Sequence, residues 1–571
     1  MTEAERFKIL SEDYADLIID DSDKDDIIRT YPDASVSLAF DRSYIVHIPV
    51  ENMTFDSIQR FGYNSIPACF GLLTTPEPPY PYNLRDLPLP FNVDGNYTGK
   101  EVLIGFVDTG IDYRNAVFRK EDGSSRIVSI WDQNIESSLY PKGFSYGTEY
   151  NNENINEALK SENPLAIVPS TDKIGHGTML AGVAGGSQNE EYNFAGVARD
   201  VSFAVVKLKP AKAYLKEFFA IPPDAVCFQE NDIISGVIYL NQLAQSLNKP
   251  LIICLGIGSS QSDHTGNRAL SRYLASVSEI RGRAVVVSAG NEANRGSHYY
   301  NDIKPPASFD DVVLSVGENT YGFTMQFWGT SPNRFWIDLY APNEEFITRV
   351  PPSTNNNILY TLQDMEITID SQLKEPYTSE QFIVIRFSKP IPGNWHFYVY
   401  GLKGDLPMRF HLWLPLHTFL SAGTAFLQPN NYTTIVAPGN NDRLICATAY
   451  NPLDGILFFY ASRGNTINNF PKPDITAPGV NILSPYLDNT FIRVTGTSVS
   501  SAYIAGVLAL LLEWAVTDEN FPEMNTALLK KIITQSASRN PDERYPNPDW
   551  GYGIVDVNSM GAVINSIISV Q

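Results

Sequence analysis

The sequence predicts an α/β protein built on a doubly wound, mostly parallel sheet, preceded by a small α+β unit and interrupted by an all-β module. Three observations predict it. Four nearly continuous apolar runs, EVLIGFVD (101–108), VSFAVVKLK (201–209), LIICLGIG (251–258) and RAVVVSAGN (283–291), read as strands buried on both faces. Helical patterns at 231–248 and 269–280 alternate with them, which makes βαβ units. Between about 300 and 430 the text changes to FWIDLYAP, EITIDSQL, FIVIRFSKPIPGNWHFYVYG and MRFHLWLP, short aromatic and β-branched strands separated by Pro, Gly and Asn turns.

In chain order, residues 1–72 form the first unit. It has a charged, helix-like start, and then VSLAFDRSYIVHIPVE reads as two strands, TFDSIQRFGYN as a short helix and SIPACF as an extended end. Residues 73–98 read as a proline-rich linker, because TTPEPPYPY and LPLPF cannot continue a helix. The α/β domain occupies 99–300, the β module 301–431, and α/β text resumes over 432–571. The module is therefore inserted into one domain.

A chain of 571 residues has room for two to four domains at about 150 residues each. Its net charge of −22 repels phosphate backbones, so nucleic acid is not an expected partner. Four cysteines, none in a CxxC pair, read as buried free thiols. The start, MTEAERFKIL, has no basic segment followed by an apolar core, hence no signal peptide is expected. The longest apolar run, Ala505–Leu512, is too short to span a membrane, which needs about 20 residues. The expectation is a soluble protein, cytoplasmic or spore-associated, with no membrane partner.

Four residues carry candidate chemistry. Asp108 ends a strand in VLIGFVDTGID, pointing at the crevice where open α/β sheets bind ligands. The rival aspartic-protease reading of Asp-Thr-Gly needs a second such motif, and none occurs. His176, in DKIGHGTMLAGVAGG, stands at the mouth of a helix rich in small residues and can serve as a general base. The other six histidines, His47, His264, His298, His396, His411 and His417, read as structural. Ser498, in RVTGTSVSSAYIAG, stands at a helix N-terminus, where free N–H groups favour the negative charge that nucleophilic attack creates. Asn291, ending a strand in VVVSAGNEANRG, can donate to an oxyanion. Each has a commoner structural reading: loop cap, core histidine, N-cap, turn amide. Together, in the order Asp, His, Ser on a parallel scaffold, they converge on one crevice.

Over roughly 97–300 and 432–560 the chain resembles the subtilases, the subtilisin-like serine proteases of peptidase family S8. DTGID, GHGT, LGIG, SAGNE, TAPGV, GTS and WGYGIVDV stand in family order. The resemblance implies Ser498 as nucleophile, His176 as base, Asp108 as its orienter, and Asn291 as oxyanion-hole donor with the Ser498 N–H. It also implies that Leu255, Gly256, Ile257 and Gly258 border the substrate backbone beside the S1 pocket. The stretches YTGKEVLIGFVDTGIDYRNAVFR, RIVSIWDQ and GFSYGTEY resemble more closely the CspB-like clostridial germination-protease branch. That likeness implies that 1–72 is a pro-domain, acting as intramolecular chaperone and inhibitor, and that the insert is jelly-roll-like. The pro-domain would be cut by the enzyme itself between about Cys69 and Thr74, with an apolar residue such as Phe70 or Leu72 at S1. Departures are Met179, where many subtilases have a second histidine, and Val499, Ala502 and Tyr503 in place of Met, Pro and His.

The expected function is a serine endopeptidase acting on a protein substrate, a zymogen among the candidates, with its own pro-domain as a second partner. The alternative is a pseudoprotease or sensor on the same scaffold. Carbohydrate binding by Trp328, Trp336, Trp395 and Trp413 of the insert is a further reading, against the commoner one that they fill its core. No cofactor is called for, and no carboxylate cluster has a dedicated calcium-loop spacing.

Overall fold

The computed structural model describes residues 3–76, 97–304, 307–353, 356–402 and 408–568. An eight-stranded sheet orders its strands Ile475–Pro478, Ile445–Tyr450, Arg283–Ser288, Leu251–Leu255, Leu103–Asp108, Ser202–Lys207, Ile127–Asp132 and Thr148–Asn151. Only the last pair is antiparallel. From Leu103–Asp108 the chain passes to Ile127–Asp132 and Thr148–Asn151, returns to place Ser202–Lys207 beside the first strand, then crosses to Leu251–Leu255 on the other side. That reversal of direction opens a crevice at the carboxyl end of the first strand.

Both faces of the sheet are covered, which is why its strands read as unbroken apolar runs. Ile104, Phe106, Ile252, Cys254, Ala284 and Val286 pack on one side with helices His176–Gly185 and Thr497–Leu512. Leu103, Val107, Leu251, Ile253, Leu255, Val285 and Val287 pack on the other with helices Glu230–Ser246 and Ala269–Ser278. The strands are shorter than the runs. LIICLGIG breaks at Gly256 into Leu251–Leu255 and Ile257–Gly258, and RAVVVSAGN stops at Ser288, leaving Ala289–Asn291 as loop.

The helix Thr497–Leu512 continues as a π-turn, Glu513–Thr517. The pair is long and apolar enough to cross a membrane, contrary to the reading from the short run Ala505–Leu512, but 89% of its apolar 18-residue stretch is buried inside the protein. Its hydrophobicity on all sides is that of a core helix.

The first unit is a three-stranded antiparallel sheet in the order Tyr14–Asp20, Ser43–Pro49, Ser35–Phe40, with helices Glu3–Leu10, Lys24–Thr30 and Ser57–Phe61. The central strand and the short helix follow the sequence reading. Strand Tyr14–Asp20 was not foreseen: it is buried on both faces, so YADLIID has no alternation to show. Its Asp16 is fully buried, bonded to Lys212 Nζ at 2.8 Å, His47 Nδ1 at 2.7 Å and Gln229 Nε2 at 2.8 Å. Burial opposes its ionisation, but the Lys212 ammonium and the His47 ring hold its carboxyl well below the usual range. One carboxylate thus ties the first unit to the α/β domain.

Residues assigned to a linker divide. Leu73–Pro76 runs through the crevice, with Thr75–Pro76 paired to strand Phe491–Thr495. Residues 77–96 lie outside the described residues.

The inserted module is two facing antiparallel sheets. One orders His298–Ile303, Met408–Trp413, Gly322–Gly329, Gln381–Ser388, Met365–Gln372 and Asn356–Leu362; the other orders Phe346–Val350, Phe335–Tyr340, Gly393–Gly401, Phe309–Val316 and Ala425–Phe426. Phe323, Phe327, Ile337, Ile385, Trp395, Phe397 and Leu412 fill the space between them. The outer face of the larger sheet presents Trp328, Phe382, Val384 and Trp413 to the first unit and to residues 214–221. Trp328, Trp395 and Trp413 are therefore buried, which leaves no open sugar platform among those three. His264, His298 and His411 stack with Trp413 at this interface, and all four cysteines are buried and free.

Candidate active site

The three candidate residues meet in the crevice. Asp108 closes strand Leu103–Asp108, and its Oδ1 accepts the Thr109 N–H and faces His176 Nδ1, each at 2.7 Å. His176 is the first residue of helix His176–Gly185. Two glycines flanking it permit the approach. A Cβ on Gly177 would stand 2.1 Å from the Gly110 carbonyl oxygen, and one on Gly175, whose φ is 88°, would stand 2.1 Å from the Tyr486 ring. The Gly177 N–H donates to Thr109 Oγ1 at 3.0 Å, closing the clasp between DTG and GHG.

Ser498 is the second residue of helix Thr497–Leu512. Gly256 sits between it and His176: a Cβ there would lie 3.0 Å from His176 Cε1 and 3.1 Å from Ser498 Cβ. Asn291 is held from behind, its Oδ1 accepting the Thr497 N–H and hydroxyl at 3.1 Å each. This aims its Nδ2 into the crevice. The departures Met179, Val499, Ala502 and Tyr503 are all buried in the core behind the sheet.

The crevice is filled by the chain's own residues 69–76. Cys69–Leu72 is the middle strand of a three-stranded antiparallel arrangement between Phe228–Gln229 and Ile257–Gly258. Ile257 pairs with Leu72, Gly258 with Gly71, and the Leu73 N–H donates to the Gly256 carbonyl at 3.3 Å. Leu255 remains in the main sheet, fully buried, and supports this edge without bordering the segment's backbone. The Leu73 carbonyl oxygen accepts from Asn291 Nδ2 at 2.7 Å and from Ser498 Oγ at 2.9 Å. A Cβ on Gly496 would fall 2.2 Å from that same oxygen, so glycine there lets the backbone come in. The Thr74 hydroxyl lies against Ser498 Oγ and 3.1 Å from His176 Nε2.

The register differs from expectation. Leu73, not Phe70 or Leu72, occupies the pocket beside Gly258, where it packs with Val436. Antiparallel pairing to Gly256–Gly258 sets this position, and it puts the Leu73–Thr74 bond over Ser498. Among the described residues, no hydrogen bond runs from the Ser498 N–H to the Leu73 oxygen.

Several contributing residues escape the sequence reading. Phe228 and Gln229 pair with Phe70 and Cys69, Gln261 Oε1 accepts the Cys69 N–H at 2.8 Å, and Glu230 Oε2 accepts the Ala68 N–H at 3.0 Å. Glu230 is itself held by buried Arg268 at 2.6 Å. A two-residue strand gives no periodic signal; its only trace is the apolar CysPhe pair just before helix Glu230–Ser246.

The subtilase family model matches residues 99–379 and 417–554. The structure is similar to that of the Clostridium perfringens CspB protease, with a TM-score of 0.74 and 29% identity over 83% of this chain and 95% of that one. Among curated proteins, the C5a peptidase of Streptococcus pyogenes is 35% identical over 111 residues, 18% of this chain and 9% of that protein. The PI-type proteinase of Lactococcus lactis subsp. cremoris is 22% identical over 547 residues, 81% of this chain and 26% of that protein. The chain thus spans about a quarter or less of these curated relatives' length.

Proposed function

The chain belongs to the subtilase family, and from that premise we propose that it is a serine endopeptidase with Asp108, His176 and Ser498 as its triad and Leu73–Thr74 as its first substrate bond. The observation that carries the reading is the Leu73 carbonyl, bonded by Asn291 Nδ2 at 2.7 Å with Ser498 Oγ 2.9 Å away. Ser498 Oγ attacks the Leu73 carbonyl carbon while His176 Nε2 takes its proton. Asp108 keeps the ring in the tautomer with Nδ1–H and stabilises the imidazolium. The negative charge on the former carbonyl oxygen is met by the Asn291 amide and, as the oxygen moves, by the Ser498 N–H. The C–N bond then breaks, His176 returns the proton to the Thr74 nitrogen, and Leu73 is left as an ester on Ser498. Water, deprotonated by His176, hydrolyses that ester.

On this reading residues 1–72 are a pro-domain, extended by Leu73 to the bond it presents, and the buried Asp16–Lys212 pair keeps it on the enzyme after the cut. The insert is a jelly-roll-like domain that braces the crevice. The chain's likeness to the germination-protease branch supports a zymogen as external substrate and the spore as its setting. N-terminal sequencing tests the proposal. Wild type should begin at Thr74 alongside a retained Met1 fragment, and Ser498→Ala should begin only at Met1, with a loss of about 10⁶ in kcat on peptides. A Ser498→Ala protein that cuts at the parent rate overturns the triad.

A further inference from the structure

Gly71 lies two residues before Leu73 and faces a wall that belongs to the inserted module. A Cβ on Gly71 would stand 2.9 Å from Leu416 Cδ1 and 3.1 and 3.3 Å from the Phe419 ring. Side chains alternate along an extended strand. Cys69, Gly71 and Leu73 therefore share one face, and Cys69 and Leu73 pack in the same cluster as Leu416 and Phe419. Phe70 points the opposite way, into the apolar group beneath the sheet edge.

The wall has little room to retreat. Leu416 is 1% exposed and Phe419 2%. The loop between them is a single 3-10 turn, His417–Phe419, with the Phe419 N–H donating to the Leu416 carbonyl at 2.8 Å. It is tied to the catalytic floor, because Glu292 accepts both the His417 N–H and its Nδ1, each at 2.9 Å. Glu292 is buried and follows Asn291 directly. A methyl group at position 71 thus presses on side chains that are packed from behind and on a loop fastened beside the oxyanion donor. Close-packed interiors resist added volume of this kind.

We propose that Leu416 and Phe419 form a specificity wall, so that this protease selects extended chains with glycine at the third position before the cut, in the pattern large apolar–Gly–apolar–Leu. The proposal rests on the endopeptidase reading and names the substrate class of that site. The selectivity comes from exclusion: a residue with a Cβ must displace packed atoms, whereas glycine slides beneath them.

The test uses the full-length chain and the rate at which newly synthesised protein is cut between Leu73 and Thr74. Gly71→Ala should slow that cut by 10- to 100-fold. Adding Leu416→Ala, or Phe419→Ala as an independent relief variant, should restore at least ten-fold of the loss. In the uncut Ser498→Ala protein, Gly71→Ala should lower the Tm, and should lower it no further once Leu416→Ala is present. A Gly71→Ala chain cut at the wild-type rate overturns the wall and leaves the endopeptidase reading standing. Slowing that neither relief variant reverses also overturns it. A wild type that stays uncut and does not react with a fluorophosphonate overturns the endopeptidase reading, and the wall with it.

Discussion

His176 Nε2 faces the Thr74 hydroxyl at 3.1 Å, and the same hydroxyl lies against Ser498 Oγ, so Thr74 stands between the two side chains. On the endopeptidase reading the hydroxyl competes for the nitrogen that must receive the Ser498 proton. Thr74→Ala should therefore quicken the internal cut by about two- to ten-fold, while Thr74→Ser should leave it near the parent rate. Pulse-labelled cell-free synthesis, sampled on gels, reads both rates. A slower Thr74→Ala chain would mean the hydroxyl assists the proton transfer.

Asn291 Nδ2 bonds the Leu73 carbonyl oxygen, which on the endopeptidase reading gains charge during attack. Asn291→Ala should lower kcat by about 10²–10³ and change KM little. Steady-state kinetics on a peptide ending in Leu before the cut separates the two parameters. A loss confined to KM would assign Asn291 to substrate binding.

Asp16 anchors the first unit through Lys212, and truncating one partner of such a pair leaves the other charge buried and alone. Asp16→Asn should weaken the attachment by about 3–5 kcal/mol. After the cut, the N-terminal fragment should then separate from the remainder on size exclusion, where the parent's fragment co-elutes. The carboxyl's depressed pKa has a second consequence. The unfolded group ionises near pH 3.9 and the folded one lower still, so its stabilisation is present above that value and is lost as pH falls below it. Acid below about pH 3.9 should loosen the parent fragment progressively, by about 1.4 kcal/mol per pH unit, and co-elution of both proteins at neutral pH would contradict the anchor.

His264, His298 and His411 are buried neutral at the module interface, where burial pushes His298 down to about 3 and the other two well below the ordinary imidazole value. In the unfolded chain they bind protons below about pH 6.5. Between about 6.5 and 3 the unfolded state therefore holds more protons, and stability falls as pH falls. His298 contributes a loss of about 1.4 kcal/mol per pH unit in that window, and His264 and His411 add losses in the same direction. The urea midpoint should drop between pH 7.5 and 5.5, and His298→Gln should flatten the drop. A midpoint that does not move would contradict the neutral cluster.

The crevice residues are legible in the sequence because each sits where a regular element ends. Asp108 closes an apolar run, His176 and Ser498 open helices of small or apolar residues, and Asn291 follows a strand. Boundaries are less legible: the apolar text of 283–291 does not show that the last three residues leave the sheet. The parts that stay hidden are made by chain segments far apart. Thr74 and Ser498 are 424 residues distant, and Leu416 meets Gly71 only after the inserted sheets have folded back. Strand Tyr14–Asp20 hides for a different reason, since burial on both faces erases the alternation that reveals a strand, and its one buried carboxylate resembles a surface residue.

The roof over Gly71, with strands on either side of residues 69–72, makes the crevice a sleeve rather than an open trough. On the endopeptidase reading, an external chain must be extended over residues matching 69–72 to enter, which a compact protein offers only at a hinge or tail. On that reading, local unfolding of a target would be the event that sets when it is cut.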